Sequence, residues 1–269
     1  MSRAMQTSTD QSLLVNRMHL PFTLDQGIAH RARIGLIVLA TDNTLEYEFR
    51  RIFTLDGVAL YQSRIPSPIA INPTTLKEME KEIAAATAVI LPGLDLNVVA
   101  YACTSGAVVI GEEHVFARIR DARPGVACTT PITAAVAGLK AVKAKRVALL
   151  TPYIDSVNQM LRRHIEARGI EVPVIGSFNH ENDNEVARIT LESLRAAALE
   201  LGRHPSVDAV FVSCTSLRLV EIAADLEREL GKPVTSSNHA LGWHCLRLGG
   251  IDDSLPHWGQ LYAAPLLRP

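Results

Sequence analysis

Short apolar runs rich in β-branched residues recur along the chain from residue 33 onward, and longer segments with three- and four-residue apolar spacing separate them. That alternation predicts an α/β fold with parallel sheet built from strand–helix units. The runs place strands at Ile34 to Ala40, Val58 to Gln62, Asn97 to Cys103, Val126 to Cys128, Val147 to Thr151, Val172 to Ile175, Ala209 to Cys214 and Val234 to Ser236. Across residues 184 to 203, Val186, Ile189, Leu194, Ala197, Ala198 and Leu201 share one helical face, which predicts a single helix covering a sheet.

The eight strands fall into two related sets of four. With Arg33-Ile34-Gly35-Leu36 laid over Arg146-Val147-Ala148-Leu149, at an offset of 113 residues, Asp42 falls on Asp155, Arg50 on Arg163 and Ile52 on Ile165. Each set also ends an apolar run in Cys-Thr-Ser, at Cys103-Thr104-Ser105 and Cys214-Thr215-Ser216. Downstream of each cysteine come a helix, a short strand and a hydroxyl pair, Thr129-Thr130 and Ser236-Ser237. Three ordered segments at nearly constant offset point to an ancient duplication.

Composition narrows the classes of function. A chain of 269 residues with 48% apolar and 20% charged residues buries a substantial core. A formal charge of -1 and scattered Lys and Arg argue against nucleic-acid or anionic-membrane binding and leave a small molecule as the expected partner. Cys103, Cys128, Cys214 and Cys245 have no CxxC spacing, so free thiols in a reducing cytoplasm are expected. The N-terminus has no secretory pattern, and no apolar stretch approaches the roughly 20 residues that span a bilayer. Residues 1 to 30 read as an arm laid over the surface or over a partner subunit. The nine histidines form no ligand spacing, and the polar run His180 to Glu185 reads as a solvated loop, so no metal is expected. No glycine-rich phosphate motif supports a nucleotide cofactor, and none is expected.

In open parallel sheets ligands collect at the carboxyl ends of strands, where both Cys-Thr-Ser motifs stand. A following helix N-terminus is expected to lower the pKa of Cys103 and Cys214 and to bind a carboxylate, with Thr104, Ser105 and Thr215 adding donors. A single cysteine in an apolar strand is usually inert, which suffices for Cys128 and Cys245 but not for the matched pair. After the first strand, Asp42 and Asn43 stand where they either contact a ligand or cap a helix. The corresponding turn after Thr151 offers the Tyr153 phenol to an oxyanion or to interface packing. Two thiols facing each other across a cleft suit proton transfer to and from one carbon.

These features resemble the aspartate/glutamate racemase superfamily, and in detail its branch of maleate isomerases, arylmalonate decarboxylases and ectoine-utilisation protein A (EutA). The matching stretches are Arg33 to Glu46, Ala100 to Gly106, Lys145 to Tyr153, Val212 to Thr215 and Gly231 to Trp243. The resemblance implies two pseudo-symmetric flavodoxin-like domains, each a four-stranded parallel sheet, with the active site between them. The first would comprise 31–130 plus 236–269 and the second 131–235. It implies cofactor-independent chemistry and a dimer or larger homo-oligomer. By that resemblance Cys103 is the nucleophile or base, Cys214 the proton donor on the opposite face, Tyr153 a contact to the substrate carboxylate and Asn184 a weaker match to a substrate-binding asparagine.

The decarboxylases carry glycine at the first cysteine site, so Cys103 favours isomerisation or racemisation. Maleate isomerases carry Asn where Asp42 stands, and a carboxylate there repels a dianion while welcoming an amino, amidine or hydroxyl group. The leading expectation is therefore a racemase or isomerase of EutA type in ectoine or hydroxyectoine catabolism. Covalent cis–trans isomerisation through Cys103 and malonate decarboxylation are the alternatives, and a small-molecule-binding regulatory protein is the rival from another class.

Overall fold

The computed structural model describes residues 17–67, 72–180 and 182–267. The first half folds as β1 (Ala32–Leu39), α1 (Leu45–Ile52), β2 (Val58–Ile65), α2 (Pro73–Glu78), α3 (Ile83–Ala88), β3 (Val98–Tyr101), α4 (Thr104–Ile110), α5 (Glu112–Ala122), β4 (Ala127–Thr129) and α6 (Pro131–Ala141). The second follows as β5 (Arg146–Thr151), α7 (Asp155–Glu166), β6 (Glu171–Ser177), α8 (Asp183–Val186), α9 (Leu191–Gly202), β7 (Ala209–Val212), α10 (Ala223–Leu230), β8 (Val234–Ser236), α11 (Ser237–Leu248) and α12 (Gln260–Ala263). The strands form two parallel four-stranded sheets, ordered β2-β1-β3-β4 and β6-β5-β7-β8. Central strands such as β3 and β7 are buried at every position, which explains their unbroken apolar sequence. The edge strands β2 and β6 are partly exposed, and β6 accommodates Pro173.

The two sheets share one register. Ile34 lies opposite Val98 in the first and Val147 opposite Ala209 in the second, the pairs expected of a repeat. Val99 then faces Cys128, and Val210 faces Val234. This pairing corrects the hydroxyl alignment by one residue: Thr130 corresponds to Ser236, not to Ser237. Each caps the following helix, accepting the amides of Thr133 and His239 at 3.2 Å.

Element boundaries differ from the sequence reading at three places that bear on the site. β3 and β7 stop two residues short of their cysteines, which therefore stand in the loops beyond the strands. The expected 184–203 helix is two helices, because Thr190 takes the Ser193 amide at 3.1 Å and starts α9 afresh. No α-helix directly follows Cys214, since the next begins at Ala223. Of the expected N-terminal arm, residues 1–16 lie outside the described residues, and 17–28 are exposed without helix or strand.

The halves are joined by crossing helices. α11 leaves the second sheet and packs on β3 and β4 of the first, beside α6, which in turn reaches β8. Its residues from Ser237 to Arg247 are consequently all buried, an unusual load for a 12-residue helix. The C-terminal segment seals it. Arg247 donates to the carbonyls of Ala264 (3.1 Å), Ile251 (2.7 Å), Asp253 (3.2 Å) and Tyr262 (3.0 Å). Trp243 Nε1 joins it on Ala264 O at 3.1 Å. Replacing Arg247 by alanine leaves four carbonyls without this donor, and we expect a loss on the order of 3 kcal/mol of stability, read as a lower urea midpoint at unchanged slope.

Candidate functional site

Cys103 is the N-cap of α4. Its backbone is extended, and its Sγ accepts the Gly106 amide at 3.3 Å, with Ser105 Oγ 4.0 Å away. Gly106 is required by crowding: a Cβ there would stand 2.8 Å from Cys103 Sγ and 2.9 Å from Tyr101 Oη. The adjoining Thr104 Oγ1 meets Ser237 Oγ at 2.8 Å, tying α4 to the first turn of α11.

Cys214 is held differently. It sits in a buried loop between β7 and a short 3₁₀ turn at Val220–Ile222, and its Sγ accepts the Ser216 amide at 3.4 Å. The loop is gripped by side chains from elsewhere: Thr44 Oγ1 donates to Ser216 O at 3.1 Å and Asn238 Nδ2 to Thr215 O at 2.7 Å. Tyr153 is buried beside Cys214, its hydroxyl interacting with that thiol and with Ser105. Thr151 Oγ1 accepts the Tyr153 amide at 3.1 Å, and Asn158 Nδ2 donates to the Tyr153 carbonyl at 2.9 Å, so the backbone that aims the ring is fixed.

One small pocket of about 30 Å³ gathers Cys103, Thr104, Ser105, Tyr153, Cys214 and Thr215. Its remaining wall includes Asp183, which sequence reasoning missed. Asp183 is buried and accepts Thr41 Oγ1 at 2.8 Å and Ser216 Oγ at 2.7 Å, bridging the two halves. The polar run read as a solvated loop therefore contains a buried acid. Its signal was the spacing to buried Val186, three residues on and hence on the same helical face. Asn184, the residue named instead, is exposed, and so is Asn43.

Asp42 stands one layer behind the cavity wall. Its Oδ1 accepts the amides of Thr44 and Leu45 at 2.8 and 2.9 Å, so the capping role is present. Its Oδ2 makes no full hydrogen bond, although the Thr215 hydroxyl lies close enough to offset part of the shift that burial causes. Burial pushes Asp42 up to about 6, with Asp183 adding to the rise. Glu48, also unforeseen, occupies the apolar stripe of α1 with Leu45, Phe49 and Ile52, and burial pushes it up to about 7.

The expected lowering of the thiol pKa values is overturned. Burial pushes Cys103 up to about 12, outweighing the Gly106 amide and Ser105 hydroxyl, and Asp183 and Asp42 add to the rise. Burial and then Asp183 push Cys214 up as well, against the Tyr153 hydroxyl and the Ser216 amide. At Cys103 the N-terminus of α4 does not compensate the loss of water around a thiolate, and Cys214 has no α-helix directly after it. Cys245 is buried inside α11, and Cys128 is half-buried on β4, neither at this cavity. Among the described residues no group of three or more His, Cys, Asp or Glu is arranged to hold a metal, and no helix is long and apolar enough to cross a membrane.

The arylmalonate decarboxylase family model matches residues 70–262. The arylmalonate decarboxylase of Bordetella bronchiseptica is 35% identical over 142 residues, a match that spans 51% of this chain and 58% of that protein. A maleate isomerase of Alcaligenes faecalis is 28% identical over 245 residues, spanning 85% of this chain and 95% of that one. Among solved structures, a Nocardia farcinica maleate cis–trans isomerase, as a cysteine-to-serine mutant with a covalently bound succinylcysteine intermediate, superposes with a TM-score of 0.78. It is 25% identical, and the match covers 86% of this chain and 98% of that one.

Gly106→Ala should displace Cys103 or Tyr101 and cost about 1–3 kcal/mol, measurable by denaturant unfolding. Asp42 and Glu48 bind protons more tightly folded than unfolded, where they titrate near 3.8 and 4.5. Their contribution is therefore most favourable at low pH, declines as pH rises through about 4 to 7, and is level above that. At about 1.4 kcal/mol per unit, the decline is on the order of 3 kcal/mol for each group. Asp42→Asn and Glu48→Gln should each flatten the stability profile between pH 4 and 7.

Proposed function

The chain belongs to the arylmalonate decarboxylase family, and from that premise we propose that it is a cofactor-independent isomerase in which Cys103 and Cys214 act on a substrate carbon next to a carboxylate. One observation carries the reading: thiols from corresponding positions of two repeated halves line one narrow pocket, among the hydroxyls of Thr104, Ser105, Tyr153 and Thr215. Protonating the carbanion left by decarboxylation needs one proton donor and leaves the second thiol without a task. The hydroxyls are suited to the negative charge that develops on the carboxylate oxygens. The cavity holds only one or two waters at its present size, so substrate binding requires its walls to part.

In the covalent course, Cys103 first loses its proton to solvent, and its thiolate adds to a carbon–carbon double bond. The new S–C bond forms as the π pair moves to the carbon bearing the carboxylate, and the remaining single bond rotates. The S–C bond then breaks as the pair returns, giving the trans acid and restoring the thiolate. Cys214 on the opposite face lends and recovers a proton at the adjacent carbon. The succinylcysteine intermediate of the Nocardia farcinica enzyme supports this course.

A second reading is supported by the two carboxyl groups. Asp183 in the wall and Asp42 behind it disfavour a dianion and suit a substrate with one carboxylate and an amino, amidine or hydroxyl group. A cationic nitrogen there would also ease thiol ionisation. One thiolate then removes the α-proton and the opposed thiol returns another, which is racemisation of the kind suited to ectoine or hydroxyectoine catabolism.

Incubation with maleate, ectoine or hydroxyectoine in heavy water, followed by proton NMR, tests both courses. We expect isomer formation with deuterium uptake next to the carboxylate from at least one compound. Cys103→Ala and Cys214→Ala should each cost at least about 10²-fold. A mass increase of one substrate on Cys103 selects the covalent course. Undiminished exchange in both cysteine variants would contradict the proposal.

A further inference from the structure

The two copies of Cys-Thr-Ser are supported by unlike means. Cys103 is fixed locally, as the cap of α4, whose first helical bond runs from the Ala107 amide to its own carbonyl at 3.0 Å. The segment Ser213 to Leu219 has neither helix nor strand, yet every residue except Arg218 is buried. Ser213 N donates to Leu150 O of β5 at 2.8 Å, and beyond that point the loop is held from outside its own half. Val220 N donates to Glu48 Oε1 at 2.7 Å, and Asn238 Nδ2 bonds both Glu48 Oε2 and Thr215 O at 2.7 Å. Thr44, one turn earlier on the same edge of α1, completes the grip on Ser216 O.

We propose that Glu48, acting with Asn238, is the positioning residue that fixes the Cys214 loop against the half of the molecule that carries Cys103. The chemistry of the contact requires an acceptor at both oxygens of residue 48, because donors converge on it from two sides. A glutamine offers one acceptor and one NH₂, so one of the two donors then faces another donor. Turning Asn238 over gives no relief, since its Oδ1 would meet the Thr215 carbonyl. A carboxylate is thus specified inside an apolar stripe, at a desolvation cost that loop positioning explains and helix packing does not. Its functional consequence rests on the two-thiol reading: the clamp sets how the second sulfur stands relative to the first.

The test uses the full chain and iodoacetamide as probe, with the labelling rate of each cysteine read by peptide mass spectrometry. In Glu48→Gln, Cys214 should label at least about tenfold faster than in the unaltered protein, while Cys103 and the fully buried Cys245 change less than about twofold. Asn238→Ala, which removes the Glu48 link from its other side together with the bond to Thr215 O, should do likewise, and the double variant should go no further than Asn238→Ala alone. With a compound turned over in the heavy-water experiment, kcat should fall at least about tenfold with KM within about twofold, since the substrate contacts are untouched. Unchanged Cys214 labelling, a common acceleration of all three cysteines, or an unchanged kcat would overturn the proposal. Failure of the two-thiol reading is distinguishable, because it appears as no turnover in the unaltered protein while the labelling contrast persists.

Discussion

Removing water from around a thiol holds its proton in place, and this molecule does so twice at one cavity. Cys103 and Cys214 are 5% and 3% exposed, with Asp183 near both, and desolvation dominates the pKa of each. A buried, acidic site of this kind keeps its sulfurs protonated and unreactive until a ligand alters the surroundings. The strand ends, the crossing of α11 onto the first sheet and the side-chain grips on the Cys214 loop all serve to keep two such sulfurs at one small space. A single sheet could bury one thiol this way. Bringing two from separate chain segments to the same cavity takes two sheets and a buried interface between them.

Duplication supplied the geometry, and divergence supplied the chemistry. The sheets keep the same register, and Thr130 and Ser236 cap corresponding helices. At the first strand end, however, Asp42 is buried behind the cavity, whereas its counterpart Asp155 is exposed and accepts Gln159 at 3.1 Å. The second half instead contributes Tyr153 at that level. The following hydroxyls also part ways: Thr129 meets His244 Nδ1 at 2.7 Å, and Thr235 meets His239 Nδ1 at 3.0 Å, within one helix. Burial pushes both histidines down to about 4, so they serve as neutral partners in the interface.

The strand set, the repeat and the clustering of Cys103, Cys214, Tyr153 and their hydroxyl neighbours were legible because each depends on local pattern and on the rule that sites form at strand ends. Asp183 and Glu48 were legible in principle. Each shares a helical face with buried apolar residues, and a charged residue in such a stripe marks either an ion pair or a site. The direction of the thiol shifts was not legible, since it depends on how much water the opposite half excludes, a tertiary quantity absent from strand–turn–helix spacing. Asn184 was named by resemblance alone, and the structure leaves it exposed while its neighbour Asp183 turns inward, since adjacent helical positions differ by about 100°.

The central claim is that one substrate carbon lies between two sulfurs from the two halves. A crystal structure with a saturated, unreactive carboxylate bound tests it directly. The account predicts Cys103 Sγ and Cys214 Sγ on opposite faces of the same carbon or adjacent carbons, each within about 3.5 Å, the separation of reacting atoms poised for transfer. The carboxylate oxygens should face the hydroxyls of Thr104, Ser105, Tyr153 or Thr215. A ligand bound with both sulfurs on one face, or seated away from this cavity, would contradict it.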